Sequence, residues 1–407
     1  MSPDVLVLGA GPAGASVATH LARAGHSVVI ADKKDFPRQK PCGEFLSPEC
    51  VPYLEELGVA DAVRDLAPWQ VHGMAMHAAG HRALGRFRRV GTRGAHALAG
   101  MGIRREVFDH VLLQGAVGAG AQWLPRHEFV ELLRAPDGRV TGAKLRTGNG
   151  EPFEVRAKWV VGADGVNSGV ARDMGVRKPI PWLDRFALAA HFEGVAPEMH
   201  AEAHLFPGGF LAATTVDQSI YSVNLVVPRS HLRQRRSANW DEFVDGYLDH
   251  APSMKQRLAS ARRISPWRGI GPMASTTTRQ WQPGTALVGD ACGYVDPLTG
   301  EGIYFALVGG RALGASMAAA LATPRAEASA MADYVAARRR EIQPRLQGSL
   351  VLQRLLRRPM LVKSFFSGAA RWQGLADLVV TLTGDTIHPR DLVRPSFWRA
   401  FRAAEVA

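Results

Sequence analysis

An α/β fold is predicted by three features of the 407-residue chain: a strand, glycine turn, helix, strand unit at its start; two later strands that run into glycine-rich turns; and a block of alternating strands between those two. They read as a parallel, doubly wound sheet that carries an inserted antiparallel sheet and is followed by a helical tail. At 46% hydrophobic and 21% charged the composition is globular, and the length suggests two or three structural units.

The first unit is "DVLVLGAGPAGASVATHLARAGHSVVIAD". Val5 to Leu8 is a short continuous apolar run, as a strand buried on both faces should be. Gly9, Gly11 and Gly14 follow in G-x-G-x-x-G spacing, then an Ala-rich helix, a Gly25 stop, and a second strand from Ser27 to Ala31 ending at Asp32. Glycine spacing, flanking elements and the acid about twenty residues on together form the Rossmann dinucleotide fingerprint. Gly9 allows the tight turn, Gly11 lets backbone reach a pyrophosphate, and Gly14 packs helix on strand. The helix N-terminus offers N–H donors to the phosphates, and Asp32 can accept from a ribose hydroxyl. Pro12 and Ala13 within the turn, and Lys33 after the acid, are counted with the cofactor-binding residues.

The fingerprint does not by itself choose between FAD and NAD. Two later segments bear on that choice. "WVVGADGVNSGVAR" (Trp159 to Arg172) is a strand, an Asp-Gly turn at Asp164 and a helix, and "GTALVGDACGYVDPLTGEGI" leads from a strand into a long small-residue helix. With these three motifs in order the chain resembles the flavoprotein hydroxylase superfamily. "DFPRQKPCGE" (Asp35 to Glu44) with "GDACGYVDPLTGEGI" resembles its geranylgeranyl-reductase-like branch, which also holds flavin halogenases and natural-product oxygenases. "RREVFDHVLL" is similar to a family segment with an arginine three residues before Phe-Asp, here Arg105, Phe108 and Asp109. The resemblance implies a Rossmann-like FAD-binding domain of the glutathione-reductase type (PHBH-like). It also implies that Arg105 lies near the ribityl-phosphate chain, and Arg38, Cys42 and Gly43 near the cofactor.

The residues of the third segment make physical sense alone. Gly289 and Asp290 end a strand, where ligands of open α/β sheets gather, and a carboxylate there can accept from ribityl hydroxyls. Pro297 fixes the chain direction. Gly300, Glu301, Gly302 and Ile303 open a helix whose first N–H groups are unpaired and would favour an anionic reduced flavin ring. Pro297, Gly300 and Gly302 are therefore the expected ring environment, with Cys42 a candidate thiol beside it. Asp164 either packs its turn or helps admit a nicotinamide donor; the packing role is preferred.

From Trp182 to Pro228 the pattern turns to successive strands, the expected substrate domain, with Phe206, Phe210 and Tyr221 as candidate pocket residues that could equally be core. The expected partition is residues 1–70, 96–178 and 270–345 for the cofactor domain, 71–95 and 179–269 for the β-sheet substrate domain, and 346–407 for a helical C-terminal region. That last region is basic and amphipathic with no uncharged run of eighteen, so it either lies on a membrane surface or caps the protein with a solvated basic face.

Net charge is +12, spread along the chain without a nucleic-acid motif, which argues against DNA or RNA partners. Three cysteines and an apolar run close to Met1 point to a reducing cytoplasm, with peripheral membrane contact left open. No His or Cys spacing suggests a metal, and no nucleophile elbow is present. Cys42 and Cys50, eight residues apart, would pair only if their Cβ atoms approach closely.

The expected cofactors are thus FAD and, lacking a second glycine fingerprint, a transient NAD(P)H donor. The leading reading is a monooxygenase that uses O2 on a small hydrophobic aromatic, polyketide or isoprenoid substrate. The alternative is reduction of isoprenoid C=C bonds, although "LFPGGF" lacks the tyrosine and tryptophan of the related reductases' segment. Halogenation is disfavoured because no W-x-W-x-I-P occurs, and a non-catalytic flavin carrier is a further alternative.

Overall fold

The structure, a computed structural model, describes residues 2–90, 98–235, 239–323, 326–384 and 386–406. The chain opens with β1 (Val5–Leu8), α1 (Pro12–Arg23) and β2 (Val28–Asp32). A hairpin, β3 (Gly73–Ala78) and β4 (His81–Arg86), leaves this layer, and α2 (Arg105–Gly118), β5 (Gln122–Pro125) and β6 (Trp159–Gly162) return to it. Next come β7 (Arg185–Glu193), β8 (His200–Phe206), β9 (Gly209–Val216) and β10 (Ile220–Pro228). Helices α3 (Trp240–Leu248) and α4 (Pro252–Leu258) and strands β11 (Arg262–Arg263) and β12 (Arg268–Ile270) follow. Strands β13 (Trp281–Gln282) and β14 (Thr285–Leu287) lead to the long helix α5 (Gly302–Ala322). The tail holds α6 (Gln343–Leu355), α7 (Pro359–Arg371) and α8 (Gln373–Thr383).

The first sheet has the order β13-β14-β6-β1-β2-β5, parallel except for β13 at its edge. Its central strands are buried on both faces, which is why they are continuous apolar runs. The glycine turn is sterically enforced. Gly9 has φ of 107°, and a Cβ on Gly14 would lie 1.8 Å from the Gly9 carbonyl oxygen. Helix α1 packs against α5 through two further glycines: a Cβ on Gly310 would lie 2.5 Å from Ser16 Oγ, and one on Gly314 2.6 Å from His20 Cβ. By length and composition α5 is apolar enough to cross a membrane, but here it is a core helix, with Leu307, Leu313 and Met317 fully buried.

The second sheet has the order β11-β7-β10-β9-β8-β3-β4, with β12 on the free side of β7. It departs from the expected all-antiparallel sheet at one join, because β3 pairs with β8 in parallel. The β3–β4 hairpin comes from much earlier in the chain, so no tight turn dictates its direction against β8. One face carries α3 and α4 over Leu188, Leu211, Val223 and Leu225; the other looks toward the first sheet. Helices α7 and α8 cover β3 and β4, burying Phe366, Ala369, Ala376 and Val380 against Met76, Ala83 and Phe87. The domain limit expected between residues 95 and 96 lies outside the described residues.

Candidate active site

A cleft with about 1180 Å³ of unfilled space, part of it open to solvent, runs between the two sheets. Gly11, Pro12 and Ala13 at the start of α1 form one part of its wall, and Pro297 and Gly300 to Ile303 at the start of α5 another. Residues 40–45, Arg105 and Asp290 form its flank, and Ala187, Phe210, Ala212, Asn224, Val226, Ile270 and Met273 its sheet wall. Both helices present bare N-termini. Neither Gly11 nor Glu301 caps with its side chain, and the Glu301 carboxylate is drawn instead to the buried Arg345, 3.3 Å away. The first-turn N–H groups, which have no intrahelical acceptor, therefore open toward the cleft.

The flank is held by buried charge. Arg105 donates from Nε and Nη2 to the two oxygens of Asp109 at 2.7 and 2.8 Å, and its Nη1 lies 3.4 Å from Cys42 Sγ. Burial works against this guanidinium, but Asp109 and Cys42 outweigh it and hold its pKa above the ordinary value. Arg38 reaches both Asp109 (3.5 Å) and Asp32 (3.8 Å). Glu44 accepts from the Arg105 backbone N–H at 3.0 Å, and its other oxygen sits 2.6 Å from His191 Nε2. Burial alone would lower His191, yet Glu44 raises it above its usual value. Burial pushes the Lys40 ammonium down although Asp290 lies 4.0 Å away. Next to Pro297, Arg185 donates to the buried Asp296 at 2.9 Å, and burial drives the Tyr294 phenol well up.

The profile of the family described as FAD binding domain matches residues 2–349. The chain belongs to that family. Among relatives of this FAD-binding protein, digeranylgeranylglycerophospholipid reductase 1 of Methanothermobacter thermautotrophicus is 29% identical over 357 residues, 83% of each chain. Its namesake in Methanopyrus kandleri is 30% identical over 77% of this chain and 80% of its own. In fold, the flavin-dependent brominase Bmp2 superposes with a TM-score of 0.81 at 20% identity, covering 99% of both chains. With that family model over most of the chain and flavoenzyme relatives in sequence, the protein is an FAD-dependent oxidoreductase of the flavoprotein hydroxylase superfamily.

The residues present fit FAD. Space for a pyrophosphate is kept at Gly11, where the nearest non-neighbouring atom to an added Cβ is Arg38 Nη2 at 3.5 Å, so a side chain there would project into the cleft rather than into protein. Asp290 lines the cleft with Lys40 4.0 Å from its carboxylate, and so has acceptor capacity to offer there. Gly289 has φ of 61°, and a Cβ on it would lie 2.7 Å from the Ala13 Cβ, so this backbone is pressed onto the start of α1. Pro12, Ala13, Cys42, Gly43, Arg105, Asp290, Pro297, Gly300, Glu301, Gly302 and Ile303 all line the cleft.

Other expected residues stand off it. Gly9, Gly14 and Gly289 shape the backbone behind the wall. Asp32 accepts from Ala10 N–H at 3.0 Å and Lys34 N–H at 2.9 Å, which fixes the carboxylate at the strand end, whereas Lys33 is exposed. Asp164 accepts from Gly169 and Val170 N–H at 2.6 and 3.2 Å, so it ties its turn to the following helix. Two substrate candidates are corrected. Phe206 and Tyr221 point to the helix-covered face, Phe206 stacking on His250 and Tyr221 packing with Val223 and Leu225. Strand alternation leaves Phe210, Asn224 and Val226 on the cleft side. Cys42 and Cys50 are not joined in a disulfide, and Cys50 is fully buried beside Leu46 and Leu54. Cys292 is buried as well, its Sγ 2.9 Å from the Leu287 carbonyl.

Sequence reading missed Lys40, Glu44, Asn224, Tyr294 and Asp296 in the cleft wall. It also missed a cluster of His77, Glu202 and His204, whose potential ligand atoms lie within 4.8 Å of one another. There Glu202 already pairs with Arg257 at 2.8 Å, and burial with the neighbouring His204 lowers His77 to about 4.

Proposed function

We propose that this oxidoreductase is an NAD(P)H-dependent monooxygenase for a hydrophobic aromatic, polyketide or isoprenoid compound. The supporting observation is the sheet wall of the cleft, which offers Ala187, Phe210, Ala212, Val226, Ile270 and Met273 opposite Pro297 and the start of α5. Such a wall excludes water and takes apolar substrate by area burial. Asn224, 8% exposed among these residues, is a polar handle that can orient a substrate carbonyl or hydroxyl. Bound FAD supplies the redox chemistry: NAD(P)H and O2 are consumed, one oxygen atom enters the substrate and the other leaves as water. The chain's own part is to hold the cofactor through Gly11 to Ala13, Arg105 and Asp290, and to favour negative charge at the ring end by the α5 dipole. The Glu44–His191 and Arg105–Asp109 pairs keep the flank rigid. On this reading the enzyme works in the cytoplasm, where its cysteines stay reduced, and meets membranes through its tail.

Turnover under isotope-labelled O2 tests the reaction. Label in the product supports oxygenation; a product that gains two hydrogens without O2 sinks it. That second outcome belongs to a reductase of isoprenoid double bonds. The archaeal reductase relatives and Cys42, a thiol on the cleft wall that can supply a proton, favour it as the second reading.

A further inference from the structure

The C-terminal helices carry a surface that the cofactor site does not use. From Gln343 to Ala376 the sequence contains no acidic residue, yet it contains six basic ones. Arg345 of these is buried; Arg354, Arg357, Arg358, Lys363 and Arg371 are exposed. Arg354, Arg357 and Arg358 together line a hollow at the elbow where α6 ends and α7 begins. No carboxylate lies within ion-pair distance of these three among the described residues. The aromatic face of Trp182 holds two of them, Arg354 at 5.4 Å and Arg357 at 5.9 Å from the ring centroid. A guanidinium positioned by a ring rather than by a carboxylate keeps its N–H donors for an outside acceptor.

The same two helices, and Trp372 just after the second, expose apolar side chains. Met360 is 77% exposed, Trp372 59%, Val351 52%, Leu361 51% and Leu355 47%. In α7 the residues Val362, Phe366 and Ala369 pack inward, while Leu361 and Phe365, one turn apart, lie on a different flank that leaves both exposed. The helix therefore has a second, partly exposed apolar stripe, with Leu361 51% and Phe365 37% exposed. Arginines without a carboxylate partner on helices that also expose Met, Leu and Phe are the composition of an interfacial helix, with basic groups at the phosphate level and apolar groups below it.

We propose that the α6–α7 elbow docks on an anionic phospholipid bilayer. The hollow of Arg354, Arg357 and Arg358 takes a lipid phosphate, and Met360, Leu361 and Phe365 enter the acyl boundary. The elbow lies close to the cleft in the fold. Trp182 packs beside Leu183, Ala274 and Val295, whose sequence neighbours Met273, Tyr294 and Asp296 line the cleft. Docking there brings the apolar cleft to the phase in which an apolar substrate dissolves. This deepens the membrane part of the proposed function, and its test involves no turnover.

The experiment is co-sedimentation of the FAD-loaded protein with vesicles of phosphatidylglycerol mixed with phosphatidylcholine, and with vesicles of phosphatidylcholine alone. Binding is expected only to the anionic vesicles and should be lost at high salt. The triple variant Arg354→Ala, Arg357→Ala, Arg358→Ala should bind about 100-fold more weakly, since each basic group near an anionic surface contributes about tenfold or less. Met360→Ser with Phe365→Ser should also weaken binding while flavin content stays at the wild-type ratio. Equal binding to both vesicle types, no binding to either, or an unaffected arginine variant overturns the proposal. So does a concentration-dependent dimer that the Met360→Ser, Phe365→Ser variant abolishes, because that assigns the stripe to a second copy.

Discussion

Replacing Arg105 by leucine separates the structural task of this side chain from its task toward the cofactor. Its side chain is 6% exposed and that of Asp109 is fully buried, so the substitution strands a carboxylate in the core. Breaking a buried ion pair from one side costs about 3–5 kcal/mol. Asp109 would keep Arg38, but only at 3.5 Å and without the two-pronged geometry. The expected loss is therefore the lower end, about 3 kcal/mol, read as a fall in the urea midpoint of unfolding. The double variant Arg105→Leu, Asp109→Leu removes both charges among Phe108, Leu112 and Leu113, and should recover to within about 1 kcal/mol of wild type. Flavin content distinguishes the second task, because both variants lose the guanidinium at the cleft and should purify with less FAD. A single variant as stable as wild type, or a double variant no more stable than the single, refutes the reasoning. Full yellow cofactor in the double variant removes Arg105 from the FAD site.

Gly14→Ala must push α1 off β1, given the 1.8 Å approach to Gly9, and should lose secondary structure by circular dichroism; Gly11→Ala should fold normally and lose FAD affinity. Phe210→Trp should narrow the substrate wall, raising KM for bulky substrates at unchanged flavin content. The Glu44–His191 pair gives a pH signature. His191 has a folded pKa above its ordinary value, so its stabilisation is complete below about pH 6.5 and disappears as pH rises through the raised value. Glu44→Gln should flatten that dependence of the unfolding midpoint, and parallel wild-type and variant curves would contradict it.

The strand, glycine turn and helix at the start were legible because their whole logic is local. Gly9, Gly11, Gly14 and Asp32 lie within one β-α-β unit, where spacing reports geometry directly. The segment around Asp290 and Gly300, which lines the cleft, was legible for the same reason. What the sequence hid depends on contacts between distant segments. Glu44 meets His191 across 147 residues, and the parallel pairing of β3 with β8 that brings His77 to His204 leaves no local signal. Phe206 and Tyr221 were misplaced because β8 and β10 are buried on both faces, so aromatic residues do not reveal which side is the pocket.

The glycine contacts between α1 and α5 tie together two pieces of the cleft wall. Both helices begin in that wall, and they are in near contact at Gly310 and Gly314, further along each helix. They act as the jaws of a calliper whose opening is set away from the ligand. A change such as Gly314→Val, pressed against His20, would reset that opening without placing an atom in the cleft.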